Sequence, residues 1–308
     1  MQHHSSPKLL NVGCGRCYHD EWTNIDLVAC GPGVRQYDLR KGLPYDDDTF
    51  DGVYHSHVLE HLAPADARSM LTECRRVLRP GGVLRIVVPD LEGIARTYLQ
   101  TLDAAASHDV TDTQSTAAEL DRANHHWMTL EMLDQLSRQR GGGEMGKVLA
   151  SEKPINRDFL LRRMGHQVTG NSNRNDGGGK PRKTIGQRLR QVLNGLRKQT
   201  ALAAVTLIEG QMGRAAYREG RFRQSGEIHR WMYDRVSLAA LLDELGFDEP
   251  TVCAAHESRI ESFDHYQLDR DGDQQRKPDS MYMEAHKRAA SIAVGKSQTE
   301  SSSASKAA

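Results

Sequence analysis

The stretch that decides the fold is ADARSMLTECRRVL at residues 65–78, followed by PGG at 80–82 and VLRIVV at 83–88. Its first part puts Ala67, Met70, Leu71, Cys74 and Leu78 at helical spacing, and Pro80-Gly81-Gly82 stops the helix. Val83–Val88 is β-branched and reads as apolar on both faces, the pattern of a central parallel strand. Working outward toward the N-terminus, strands are predicted at Lys8–Val12, Trp22–Leu27, Val34–Asp38 (the weakest) and Phe50–His55. Toward the C-terminus, Asp234–Leu245 reads as a helix with Val236, Leu238, Leu241, Leu242 and Leu245 on one side and Gly246 as its stop. Thr251–Ala255 and Ser280–Ala285 read as two closing strands. Strands separated by helices imply an α/β fold, a mostly parallel sheet with helices on its faces.

The chain has 308 residues, 41 basic and 41 acidic side chains and a formal net charge of zero, which excludes a surface that is one polyanion-binding field. Hydrophobic residues make up 38% and the mean hydropathy is −0.64, lean enough to predict that part of the chain is disordered or loosely packed. The longest apolar run, Ala201–Ile208, is far shorter than a membrane span. The start, MQHHSSPK, lacks the apolar core of a secretory signal. Five scattered cysteines read as reduced thiols of a cytoplasmic protein.

The predicted organisation is a disordered N-terminus at 1–7, a first core segment at 8–99, a helical insertion or lid at 100–228, a second core segment at 229–288 and a disordered tail at 289–308. Within the insertion, 104–117 and 170–180 are expected to be flexible, and a helix is expected over Glu119–Gln139. A second, basic helix starts near Thr184 with Ile185, Leu189, Val192, Leu193 and Leu196 on one stripe.

Chemistry is expected at the strand ends. LLNVGCG, Leu9–Gly15, ends a strand in two glycines one apart, which lets a ligand approach the backbone; a simple tight turn is the competing explanation. A dinucleotide fingerprint would need a third glycine where Tyr18 stands, and the link from Gly15 to Asn24 is short for a crossover with a full helix. A ligand without a pyrophosphate therefore fits better. NIDL, Asn24–Leu27, puts Asp26 at the end of the second strand, where a carboxylate can accept both hydroxyls of a ribose. YDL, Tyr37–Leu39, puts Asp38 at the end of the third, where it can accept from an exocyclic amine.

NVGCG, NIDL, DLRKGLPYDDDTFDGVYHSHVLEHL and RRVLRPGGVLRIVVPD together resemble the successive motifs of class I S-adenosylmethionine (SAM) dependent methyltransferases. The nearest branch is the type 11 group and its relatives with a shortened first helix, often found among glycan and cell-surface biosynthesis proteins. The resemblance is strong over about 8–95 and extends through GEIHRWMYDRVSLAALLDELGF to the final strand pair. It implies a Rossmann-like, seven-stranded sheet of order 3-2-1-4-5-7-6 with the last strand antiparallel, and SAM as co-substrate. It also implies that the backbone of Gly13, Cys14 and Gly15 faces the methionine part of SAM, that Asp26 holds the ribose, that Asp38 and Leu39 address the adenine, that Ser56 and His57 lie near the methyl group, and that Asn11 and Leu27 also belong to the cofactor-binding set.

Transfer to a hydroxyl of a small molecule or glycan is the expected reaction, and a base is useful there. Candidates cluster at His55, Ser56, His57, Glu60 and His61, with His57 and His61 named as catalytic and imagined on one helix face; a structural hydrogen bond is the competing role for His61. Asp90 is a further rim carboxylate or a helix cap. His229, Arg230, Trp231 and Tyr233 are candidates for acceptor binding, with an anchoring role for the segment as the alternative.

No metal is expected. The Cys14-Gly-Arg-Cys17 pair has no partner motif, and His125-His126 cannot present both rings on one helix face. The seven basic residues across 180–198 suit a solvated lid helix or weak contact with an anionic membrane surface, and the lack of interleaved aromatics argues against nucleic acid. Three other functions compete: a non-catalytic SAM-binding protein of a cell-envelope pathway, an RNA methyltransferase, and an NAD-dependent oxidoreductase.

Overall fold

The computed structural model describes residues 6–109, 115–165 and 185–289. Seven strands form one sheet: β1 (Leu9–Val12), β2 (Thr23–Asp26), β3 (Val34–Gln36), β4 (Phe50–Ser56), β5 (Leu78–Pro89), β6 (Phe247–Cys253) and β9 (Ser280–Lys287). A small hairpin, β7 (Arg270–Asp271) and β8 (Gln274–Gln275), stands apart. The order is β3-β2-β1-β4-β5-β9-β6, with β1 to β5 parallel and β9 antiparallel to both β5 and β6. With the hairpin set aside, this is the order expected from the sequence.

Helix α1 (Pro64–Val77) forms as its spacing predicts, but it leads directly into β5, so Pro80-Gly81-Gly82, expected to stop the helix, lies inside the strand beside a register shift in its pairing with β4. Ala67, Met70, Leu71, Cys74 and Val77 are buried against Leu10, Val53, Leu84 and Ile86 on one face of the sheet. Helix α7 (Arg235–Glu244) covers the same face with Leu238 and Leu242. Its start is a capping box: Asp234 Oδ1 accepts from the N–H groups of Val236 and Ser237 at 2.9 and 2.8 Å, and Ser237 Oγ accepts from the Asp234 N–H at 3.1 Å. Asp234→Ala should cost about 1 kcal/mol in urea denaturation at neutral pH. Bonds from the Ser237 and Val236 N–H groups hold the Asp234 carboxyl below its usual value. The contribution is therefore present at neutral pH and fades as the pH falls through the folded-state value, so the two proteins should converge in acid.

The links from β1 to β2 and from β2 to β3 contain no helix, in keeping with the short crossover read from the sequence. The other face of the sheet is covered instead by the excursion between β6 and β9. Phe263, Leu268 and Ile260 pack there on Leu9, Trp22, Tyr54 and Val87, with Trp22 edge-on to Tyr54 and Phe263.

One residue departs from the expected pattern. VLRIVV reads as apolar on both faces, yet Arg85 stands in it fully buried. Its Nε donates to Asp269 Oδ2 at 2.8 Å and its Nη1 to Glu284 Oε1 at 2.7 Å. The guanidinium also reaches the carbonyls of Ala254, Ala255 and Glu257 and lies over the Phe263 ring. β5 tolerates a charge because the excursion brings both counter-charges and the carbonyls that complete its hydrogen bonds.

The insertion has its own core. Helices α2 (Leu91–Ala106), α3 (Thr116–Ser137), α4 (Gly143–Leu149) and α5 (Arg157–Met164) bring together Ile94, Trp127, Met128, Met145, Leu160 and Met164. Trp127 Nε1 donates to Glu131 Oε2 at 2.9 Å, and Arg163 pairs with the same carboxylate. α2 starts at Leu91, directly after Asp90, where a helix cap is one of the two readings, and the core boundary expected at 99 falls inside it. Residues 104–106 and 116–117, expected to be flexible, belong to α2 and α3. The stretches 110–114, 170–180 and 290–308, with residues 1–5, lie outside the described residues.

The basic helix is α6 (Ile185–Arg223), kinked at Gly210, where φ is 67°. Val192, Leu193 and Leu196 on it are exposed, as are Leu207, Ile208 and Met212 beyond. Among the described residues, no helix is long and apolar enough to cross a membrane.

Candidate active site

The carboxyl ends of β1, β2, β3 and β4 lie side by side, and the loops that leave them carry the candidate residues. At β1, Gly13 (φ 68°) turns the chain so that the N–H groups of Gly13 and Cys14 both donate to the Ile25 carbonyl, at 2.8 and 3.2 Å. A Cβ on Gly13 would stand 2.5 Å from Val58 Cγ2, so the turn tolerates no side chain. Gly15 (φ 52°) has nothing within 4 Å of where a Cβ would be. Asn11 is buried and holds the loop from below, its Nδ2 donating to the Cys17 carbonyl at 3.1 Å. It therefore shapes the loop.

Asp26 joins β2 to this loop. Its Oδ2 accepts from the Gly15 N–H at 2.9 Å and its Oδ1 from the Val28 N–H at 2.8 Å. Two backbone donors fix the carboxylate, and each oxygen keeps a further lone pair for a ligand. Leu27 and Val28 beside it are 55% and 59% exposed, an apolar flank next to a fixed carboxylate. A nucleoside matches these features: open backbone at Gly15, a paired acceptor for vicinal hydroxyls at Asp26, and an uncovered apolar surface for a ring.

β3 reaches the same rim, since the Tyr37 N–H donates to the Asp26 carbonyl at 2.7 Å. The Asp38 side chain, however, is engaged by its neighbour. Arg40 Nε and Nη2 donate to its two oxygens at 2.8 Å each, and this pairing holds the carboxyl down at about 2. Asp38 also accepts from the Arg40 N–H as the cap of the turn Leu39–Lys41. Leu39 is half-buried and packs on the core.

The loop after β4 is not the helix face imagined for His57 and His61. His57 is left-handed (φ 54°), and Leu59–His61 form a single 3-10 turn. His57 Nε2 lies 2.8 Å from Ser280 Oγ, and its Nδ1 lies 3.1 Å from Glu60 Oε1. That second approach is an ion-pair contact poorly aligned for a hydrogen bond, so both Glu60 oxygens remain without one among the described residues. Glu60 is fully buried. Burial disfavours its charge, but His57, His61 and His229 prevail and hold its carboxyl at about 2. His61 Nδ1 meets the Ile228 carbonyl at 2.9 Å, the structural bond weighed for it, and its ring stands edge-on to His229 at 4.9 Å. His55 is wholly buried, which depresses its pKa to about 4. Ser56, half-buried at the end of β4, pairs with Val87 of β5.

His229–Tyr233 forms a seam between core and insertion. The His229 N–H donates to the Gln135 carbonyl on α3, the Arg230 and Trp231 N–H groups to the Glu60 carbonyl, and the Leu91 N–H to the Tyr233 carbonyl. Tyr233 is in the main core and burial pushes its hydroxyl to about 12. Trp231 is half-exposed, and the Arg230 guanidinium bonds the Arg223 carbonyl and Gln224. Of the four acceptor candidates, Trp231 and Arg230 face outward, whereas His229 and Tyr233 are buried. Asp90 occupies the cap position of α2 without a side-chain cap bond. Cys14 and Cys17 bond different carbonyls, and burial raises both thiols, Cys14 to about 12, so neither is a ready thiolate.

This sheet order, with glycine loop and carboxylate on adjacent strand ends, coincides with a family match. Residues 20–86 match the family described as "Methyltransferase domain". Over these residues the chain is similar to a methyltransferase domain. Over 58 residues the chain is 45% identical to a probable methyltransferase, ltbC, of Aspergillus luteorubrus, covering 18% of this chain and 20% of that protein. Over 102 residues it is 34% identical to a probable S-adenosylmethionine-dependent methyltransferase of Mycolicibacterium smegmatis, covering 27% of this chain and 38% of that one. The match thus spans well under half the length of these curated relatives. A SAM-dependent methyltransferase of Archaeoglobus fulgidus aligns over 91% of this chain and 86% of its own, at 14% identity and a TM-score of 0.35. The glycine loop Gly13–Gly15 precedes the matched residues, which take in β2 to β5 up to Ile86.

Proposed function

We propose that this chain transfers a methyl group from SAM to a hydroxyl of a small-molecule or glycan acceptor. The observation that carries the reading is the Asp26 carboxylate, fixed by the Gly15 and Val28 N–H groups at the rim of the sheet. Asp26 holds the ribose, and the Gly13–Gly15 backbone gives the amino-acid part of SAM a close approach. The sulfonium supplies the activated methyl group when SAM is bound. The chain's own residues then orient the acceptor and take up its proton. His57 is placed for the second task. With its Nδ1 proton turned toward Glu60, its Nε2 lone pair accepts from Ser280 Oγ, and an acceptor hydroxyl that displaces Ser280 meets the same lone pair. Trp231 and Arg230, outward-facing on the seam, support recognition of a sugar-like or anionic acceptor. The apolar side chains that α6 leaves exposed, beside its basic residues, support contact with an anionic membrane surface. A cytoplasmic location accords with the free thiols.

The test is a mass-shift screen of hydroxyl-bearing acceptors with the purified chain and SAM. A methylated product is the expected result. SAM binding without any product across the screen would favour a non-catalytic SAM-binding protein. With an acceptor in hand, His57→Asn should lower kcat about a hundredfold with little change in the acceptor KM. Asn is chosen because it tolerates the left-handed backbone. A kcat within threefold or so of the parent would remove the base from this account.

A further inference from the structure

We propose that Glu60, His61 and His229 bind one divalent transition-metal ion of the zinc class, clamping the exit of the helical insertion to the turn after β4. Each residue offers one ligand atom, and the three atoms lie within 4.8 Å of one another. Two of them carry unmet polar demand in a dry place. Glu60 is fully buried with neither oxygen hydrogen-bonded, and His229 is 5% exposed with Nε2 unpartnered. A buried carboxylate and a buried ring nitrogen left so are costly unless a shared partner, such as a cation, lies between them.

The third ligand is already oriented. His61 Nδ1 meets the Ile228 carbonyl at 2.9 Å, and a carbonyl can only accept, so the proton sits on Nδ1. Nε2 then carries the lone pair and stands 3.9 Å from Glu60 Oε1. A backbone carbonyl fixing the far nitrogen of a histidine is the usual outer support of a metal ligand. Two imidazoles and a carboxylate suit zinc, with a position left for water. Zinc bonds of about 2.0–2.2 Å put ligand atoms roughly 3.3 Å apart, so the cluster has to close by about an ångström.

The seam gives the ion a structural consequence. His229 is the first residue of the strand-like segment that ties α3, through Gln135, to the Glu60 carbonyl. A metal across Glu60, His61 and His229 would lock that junction. The proposal is independent of methyl transfer, since metal content can be read with no acceptor or SAM present.

The test uses the full chain, stripped with a chelator and titrated with Co²⁺ as a coloured stand-in for zinc. The expected result is one Co²⁺ per chain, with visible ligand-field absorption, no thiolate charge-transfer band, and displacement by Zn²⁺. Glu60→Gln and His229→Asn should each weaken binding a hundredfold or more while the near-UV circular dichroism is kept. If either variant fails to fold, His61→Gln supplies the ligand deletion in the same titration. Absence of a saturable Co²⁺ spectrum in the parent chain would overturn the proposal. So would a thiolate band, or affinity unchanged in the folded variants.

Discussion

Arg85→Met should lower the free energy of unfolding by about 3–5 kcal/mol, the cost of leaving buried charge uncompensated. Arg85 is fully buried, Asp269 and Glu284 are nearly so, and the guanidinium bonds both carboxylates. Burial favours protonated Asp269 and raises its pKa, while Arg85 opposes this. Methionine fills much of the same space but leaves two carboxylates facing each other. It also strands the carbonyls of Ala254, Ala255 and Glu257, which shape the turn after β6. Without Arg85 the charge that opposes burial is gone, so the Asp269 carboxyl should titrate higher in the folded than in the unfolded chain. The folded variant then binds more protons, so its deficit should narrow as the pH is lowered from 7 toward about 5. Urea denaturation at both pH values checks this. A loss below about 1 kcal/mol at pH 7 would mean that the cluster gives no net support to the sheet.

Asp26→Ala should weaken SAM binding roughly a thousandfold while the fold survives. The magnitude follows from two ribose hydroxyls that donate to a charged acceptor, at about 1.5–3 kcal/mol each. The variant also frees the Gly15 and Val28 N–H groups, but both lie in partly exposed loops where water can replace the carboxylate. Calorimetric titration with SAM, alongside a thermal melt, separates loss of the ligand contact from loss of the fold. Affinity within threefold or so of the parent would move the nucleoside away from β2. Asp38→Ala is the contrasting case. Arg40 already engages both of its oxygens, so its removal should matter less than that of Asp26.

The parts of the fold that depend on local periodicity were legible. α1 follows from its apolar spacing and the core of β5 from a β-branched run, although Pro80-Gly81-Gly82, read as the helix stop, lies inside β5, and the closing pair β6 and β9 follows from short β-rich runs. The start of α2 was legible in Asp90 as a cap before Leu91, but its extent past residue 99 was not, because Leu99 and Leu102 stay exposed and carry no core pattern. Arg85 gave no warning. An arginine inside an apolar run finds its meaning only through Asp269 and Glu284, far away in the chain.

The site divides along the same line. The placement of Gly13, Gly15 and Asp26 at adjacent strand ends was legible because parallel strand ends converge wherever the sheet forms. The engagement of Asp38 by Arg40 was within reach, two residues apart in the sequence DLR. The grouping of Glu60 and His61 with His229 was not. It requires the insertion to return its exit strand to the turn after β4, and no local pattern encodes that return.

The central claim is that the rim formed by Gly13–Gly15 and Asp26 holds the nucleoside of SAM. A crystal structure with S-adenosylhomocysteine tests it most directly. The account predicts both ribose hydroxyls within about 3 Å of the Asp26 carboxylate oxygens and the homocysteine chain along the Gly13–Gly15 backbone. A bound nucleoside seated elsewhere, with Asp26 touching only the Gly15 and Val28 N–H groups, would contradict it.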